Sequence, residues 1–93
     1  MVTALILATA IRDQINAAAE ALAEIAGVSE VYSVSGRFDL AVIVRTHTNE
    51  ELAQVVTERI AKVNGILSTE TMIAFRVVSR YDLERVFGIG LET

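Results

Sequence analysis

Gly36, Arg37, Phe38 and Asp39 stand together between two apolar runs, residues 28–35 and 40–45. A connection made only to reverse the chain tightly favours Asn-Gly or Asp-Gly. This one sets a glycine, free to take positive φ, before a cation, an aromatic ring and a carboxylate. Such a set can recognise a small zwitterion, because a carboxylate receives an ammonium in a charge-assisted hydrogen bond. Each residue also has a structural reading. Gly36 serves backbone geometry alone, and Asp39 accepts backbone N–H groups of the turn. Phe38 is either an edge hydrophobe or an interface anchor, and Arg37 is either solvated or paired across subunits. Thr69 and Thr71 begin the last strand two residues apart and share one face. They are either ordinary strand residues or two hydroxyls offered to a ligand carboxylate.

Other chemistry is sparse. The 93 residues include no cysteine, hence no thiol nucleophile and no Cys-ligated metal. His47 is the single histidine. It precedes the second helix without an evident partner for acid–base work, and its plain reading is an exposed loop residue. Gly88-Ile89-Gly90 lacks the later glycine of a dinucleotide fingerprint. No catalytic residue, metal or cofactor is expected. A formal net charge of −4, with eight basic residues scattered from Arg12 to Arg85, argues against direct nucleic-acid binding.

The elements that must position these residues follow from hydrophobic period. Residues 2–8 form an apolar run suited to a buried strand, with no basic segment before it to make it a signal peptide. The chain is too interrupted for a membrane span, and a cytoplasmic location is expected. Ile11, Ile15, Ala18, Leu22 and Ile25 recur at helical spacing, and Gly27 closes that helix as a left-handed cap. A hairpin of residues 28–35 and 40–45 follows. Thr48-Asn49-Glu50-Glu51 reads as a capping box, opening a helix whose apolar face is Leu52, Val55, Val56, Ile60 and Val63. The last strand lies within residues 66–78, and residues 81–87 read as a short amphipathic helix. Two segments echo each other, Ile25-Ala26-Gly27-Val28 and Val63-Asn64-Gly65-Ile66.

The order β-α-β-β-α-β predicts an α+β, ferredoxin-like fold with both helices on one face of an antiparallel sheet. Yet Leu40, Val42 and Val44 oppose Ala41 and Ile43, and Ile73, Phe75 and Val77 oppose Met72, Ala74 and Val78. Both faces of the sheet are apolar, and two helices cover one. A second copy packed sheet against sheet is the expected cover, making a homodimer.

Three segments, in this order and spacing, resemble a known family: Val34-Ser35-Gly36-Arg37-Phe38-Asp39-Leu40, Val63-Asn64-Gly65-Ile66 and Thr69-Glu70-Thr71. The chain resembles the RAM module (regulation of amino acid metabolism), the C-terminal effector-binding and oligomerisation domain of Lrp/AsnC transcription regulators. The resemblance runs from the first strand to about Ser79. It implies a single ligand-binding domain over residues 1–93, without the family's helix-turn-helix domain. It further implies a dimeric α/β barrel whose dimers associate into an octamer or similar ring. An amino acid or related metabolite would bind between dimers at Gly36, Arg37, Phe38 and Asp39, with Thr69 and Thr71 nearby. A DNA-binding Lrp/AsnC paralogue is the implied protein partner. Ser79-Arg80 stand where the family frequently carries a lysine. Two other functions suit the same architecture. One is a small dimeric α/β-barrel enzyme, like a cofactor-independent monooxygenase or a muconolactone isomerase, which needs a cavity with His47 and an ionisable partner. The other is a purely structural oligomerisation partner.

Overall fold

The computed structural model describes residues 1–80. Four strands, β1 (Val2–Ala10), β2 (Val28–Ser33), β3 (Leu40–Thr46) and β4 (Ile66–Ile73), form one sheet in the order β2-β3-β1-β4, antiparallel throughout. Helix α1 (Ile15–Ala23) follows a single 3-10 turn, and α2 (Asn49–Gln54) runs on into a π turn (Val55–Arg59) and a 3-10 turn (Ile60–Lys62). The expected ferredoxin-like α+β arrangement is what the strand order describes.

Local chemistry explains the joints. Thr48 accepts from the Glu51 N–H and the Glu51 carboxylate accepts from the Thr48 N–H, so the capping box is complete. The two echoing segments close by the same bond, Val28 N–H to Ile25 O at 3.0 Å and Ile66 N–H to Val63 O at 3.3 Å. Gly27 sits at φ 99°, the region where a side chain is strained.

Alternation along the strands divides the sheet. Ala4, Ile6 and Ala8 of β1 and Leu40, Val42 and Val44 of β3 are fully buried beneath Ala18, Leu22, Leu52, Val55 and Ile60 of the helical layer. Leu5, Leu7, Ala41 and Ile43 face the other way and are only half-buried. Met72, opposite Leu5, and Tyr32, opposite Ala41, extend that open face at 43% and 49% exposure. Polar residues interrupt it, with Glu70 opposite Leu7 and Glu30 opposite Ile43. The Tyr32 hydroxyl donates to Glu30 Oε1 at 2.9 Å, and this bond and the Glu30 charge raise the Tyr32 pKa above its ordinary 10.0, with Arg45 opposing.

Several boundaries differ from expectation. Ile11 lies before the first helix, at 40% exposure, with its N–H on Gly65 O at 2.8 Å. The hairpin strand β2 ends at Ser33, not at residue 35. The second helix abandons the α ladder after Gln54, where the Thr57 hydroxyl donates to Ala53 O at 2.7 Å, a back-bond that disturbs helical pairing. The last strand ends at Ile73, although the Ala74 N–H still reaches Thr3 O at 2.8 Å. Phe75, Val77 and Val78 beyond it are exposed, not strand residues. The helix read over residues 81–87 lies outside the described residues.

Two measurements probe this layer structure. Leu22→Ala, at a site with no solvent exposure, is expected to lower the denaturant-derived unfolding free energy by about 2–5 kcal/mol. In an absorbance titration Tyr32 is expected to ionise above the ordinary tyrosine range and to return toward it in Glu30→Gln. Because the folded-state pKa is raised, the stabilisation from this bond is present below pH 10.0 and is lost as pH rises through the folded-state value.

Candidate functional site

At the end of the sheet that carries the β2–β3 connection, β1 outruns β3. Leu40, the first residue of β3, pairs with Ala8, so the last residues of β1 extend past their neighbour. Asp39 completes the ladder there. Its N–H donates to Ala8 O at 2.9 Å, its carbonyl accepts from Val34 N–H at 3.0 Å, and its Oδ2 accepts from Ala10 N–H at 2.8 Å. Ala10 is 7% exposed, and an unpaired N–H at such a site costs about 1–3 kcal/mol. The structural reading of Asp39 holds in kind but not in place: the carboxylate accepts a backbone N–H, from the end of β1 and not from its own turn. The second carboxylate oxygen has no hydrogen bond within the described residues.

The rest of the turn is more open. Gly36 has φ 117°, and a Cβ there would meet nothing within 4 Å, so glycine is required by backbone conformation and not by crowding. The Arg37 guanidinium lies 5.8 Å from the centre of the Phe38 ring, at the outer range of a cation–π contact. Arg37 is exposed and Phe38 half-buried.

Thr69 pairs with Ala8 and Thr71 with Ile6, so both share the helical side of the sheet. Helices shield Ala8 and Ile6, yet both threonines are exposed, because the helical layer reaches β4 at Ile66, where the strand begins, and not at these positions. Thr69 and Asp39 thus flank the end of β1 from opposite sides, about 10 Å apart at two strand spacings. Thr71 lies one pleat further away. A bulge at Thr9/Ala10 shifts the β1–β4 register beside them, leaving Leu67 65% exposed.

His47 is placed at the opposite end. It lines a cleft of about 320 Å³ with Ala26, Gly27, Thr46, Glu51, Gln54, Val55 and Arg59 among its walls. The carboxylate nearest to it serves the backbone: Glu51 Oε1 accepts the N–H of His47 at 2.8 Å and of Thr48 at 3.3 Å. No imidazole–carboxylate dyad forms among the described residues. The sequence treated His47 as a loop residue; the signal for the cleft was the capping box beside it, with Glu51, Gln54 and Val55 at helical spacing. Among the described residues no group of three or more acidic or imidazole side chains is placed to hold a metal. No helix among them is long and apolar enough to cross a membrane.

Comparison with known proteins agrees with this architecture. The model of the Lrp/AsnC ligand binding domain matches residues 3–83. An uncharacterized HTH-type transcriptional regulator of Pyrococcus horikoshii is 38% identical over 60 residues, 64% of this chain and 40% of the relative. The chain thus spans well under half the length of such curated relatives. A Thermus thermophilus crystal structure is 44% identical, with a TM-score of 0.80, over 86% of this chain and 100% of that one. The feast or famine regulatory protein of M. tuberculosis, complexed with L-methionine, shares the fold at 22% identity and a TM-score of 0.72, over 85% of this chain and 53% of that one.

The double duty open to Asp39 can be separated by substitution. Asp39→Ala removes the acceptor for the Ala10 N–H and is expected to cost about 1–3 kcal/mol of stability in urea unfolding. Asp39→Asn keeps an acceptor oxygen and should lose less than half as much. Equal losses in the two variants would show that the carboxylate charge, not the strand-end bond, sets the effect.

Proposed function

The chain belongs to the Lrp/AsnC ligand binding domain family, and on that premise we propose that it is an oligomerising module that binds an amino acid and serves transcription regulation in the cytoplasm. The observation that carries this reading is the Asp39 carboxylate, held by one oxygen against Ala10 with the other uncommitted within the described residues. A carboxylate oriented in this way is ready to receive an ammonium at little cost in ordering.

Gly36, Arg37 and Phe38 form the turn that would border the ligand, and Thr69 and Thr71 would supply hydroxyls toward its carboxylate. Among the described residues these groups flank β1 from opposite sides, an arrangement that suits a site completed between copies. The half-buried row Leu5, Leu7, Ala41 and Ile43, with Met72, supports sheet-to-sheet packing into a dimeric α/β barrel, and further association of dimers would bring the turns together. The M. tuberculosis relative complexed with L-methionine supports the ligand class. The HTH-type relatives support a DNA-binding paralogue as partner. That these relatives are transcription regulators, together with the absence of a His47–carboxylate dyad among the described residues, favours this reading over the enzyme.

Calorimetry against the standard amino acids, paired with sedimentation equilibrium, tests both halves. At least one amino acid should bind, and Asp39→Asn should weaken it about tenfold or more while the assembly persists. Leu7→Glu, on the open face, should shift the population toward monomer. A folded monomer at micromolar concentration, or no heat across the whole panel, would overturn the reading.

A further inference from the structure

The cleft around His47 lies at the far end of β3 from Asp39, about 20 Å away along a seven-residue strand. Three parts of the chain converge on it: Ala26 and Gly27 after α1, Arg45 to His47 at the end of β3, and Glu51, Gln54, Val55 and Arg59 along the second helix. Its floor is tightly set. A Cβ at Gly27 would come within 3.2 Å of Val55 Cγ2 and 3.6 Å of Thr46 Cγ2. One wall is the π turn Val55–Arg59, a deviation from α geometry that is rare and recurs at functional sites.

The polar groups of the cleft are unbalanced. Glu51 is engaged through Oε1 with two backbone N–H groups, and the Thr46 hydroxyl donates to Thr48 O at 2.9 Å. Arg45 also lines the cleft, while its charge acts on Tyr32 at the open face. The side chains of Arg59, Gln54 and His47, by contrast, make no hydrogen bond or ion pair among the described residues. The uncommitted carboxylate oxygen of the cleft, Glu51 Oε2, lies at the end away from Arg59. Glu51 and Arg59 stand eight residues apart, about 12 Å along a helix axis, too far for both to clamp one α-amino acid. Helical side chains lean toward the N-terminus, which carries the Arg59 guanidinium back over Gln54 and Val55.

We propose that this cleft is a second ligand site, separate from the Asp39 turn, that takes a small anion bearing a carboxylate or phosphate on Arg59, Gln54 and His47. The guanidinium fork pairs with two oxygens of such a group, and the Gln54 amide and His47 ring nitrogen supply further donors. The proposal does not depend on amino-acid binding at the turn.

Titration of the ¹⁵N-labelled full chain with inorganic phosphate, and separately with succinate, tests it at ionic strength held constant with sodium chloride. Saturable shifts at Gly27, His47, Gln54 and Arg59 are expected with at least one probe. Saturation by phosphate alone assigns a phosphorylated metabolite, and by succinate alone a carboxylate. Arg59→Gln should weaken binding about tenfold or more, the loss of one charge-assisted contact, with Gln54→Ala as a second, smaller loss. Asp39→Asn should leave this titration unchanged. Shifts that drift without saturating for both probes, or affinity retained in Arg59→Gln, would overturn the proposal.

Discussion

Two amphipathic helices cover one face of a four-stranded sheet, and most of the molecule follows from that shortage. On the covered side Ala4, Ile6 and Ala8 alternate in step with Leu40, Val42 and Val44, and all six are removed from water. Small residues in β1 let the helical layer approach closely, while larger ones in β3 fill the space beneath it. Leu5, Leu7 and Ile43 are on the opposite pleats of the same strands and have no helical cover among the described residues. A large apolar surface of this kind marks a place where something binds. The buried core and the open apolar face therefore come from one alternation, read on its two phases.

The same register decides what happens at the strand ends. Because β3 begins opposite Ala8, the N–H of Ala10 is left without a sheet partner, and the Asp39 side chain supplies one. A residue that looks like recognition chemistry in a polar turn is thereby fixed into the fold. The two roles are compatible because a carboxylate has two oxygens and several lone pairs. Anchoring one oxygen also limits how far the group can move, which is what a binding carboxylate requires. At the other end the capping box commits one Glu51 oxygen to the backbone, and the Arg59 and Gln54 donors of the cleft beside it have no partner among the described residues.

Much was legible in the chain itself, and for a common reason. The helical spacing of Ile15, Ala18 and Leu22, the pairing of Thr48 with Glu51, and the glycines at 27 and 65 depend on neighbours within a turn or so. Such local patterns carry their own physics, so element order, the antiparallel hairpin and the two-faced sheet could be read directly, and the family resemblance rested on equally short segments, residues 34–40, 63–66 and 69–71. Ile11 and the residues after Ile73 were misplaced for the complementary reason. An apolar side chain continues a helical or alternating pattern whether or not a backbone partner is present to continue the element.

What the tertiary structure alone decided is which polar groups are already taken. Asp39 meets Ala10 across 29 residues of sequence, and that bond exists only because three strands end at different heights. The cleft at His47 likewise needs the α1–β2 joint, the end of β3 and the π turn to meet, and no short stretch of sequence encodes their meeting. Residue types and spacing determined the fold and named the turn. Strand register determined that Asp39 is half committed, that Thr69 and Thr71 lie across β1 from it, and that unused donors gather at the far end of the sheet.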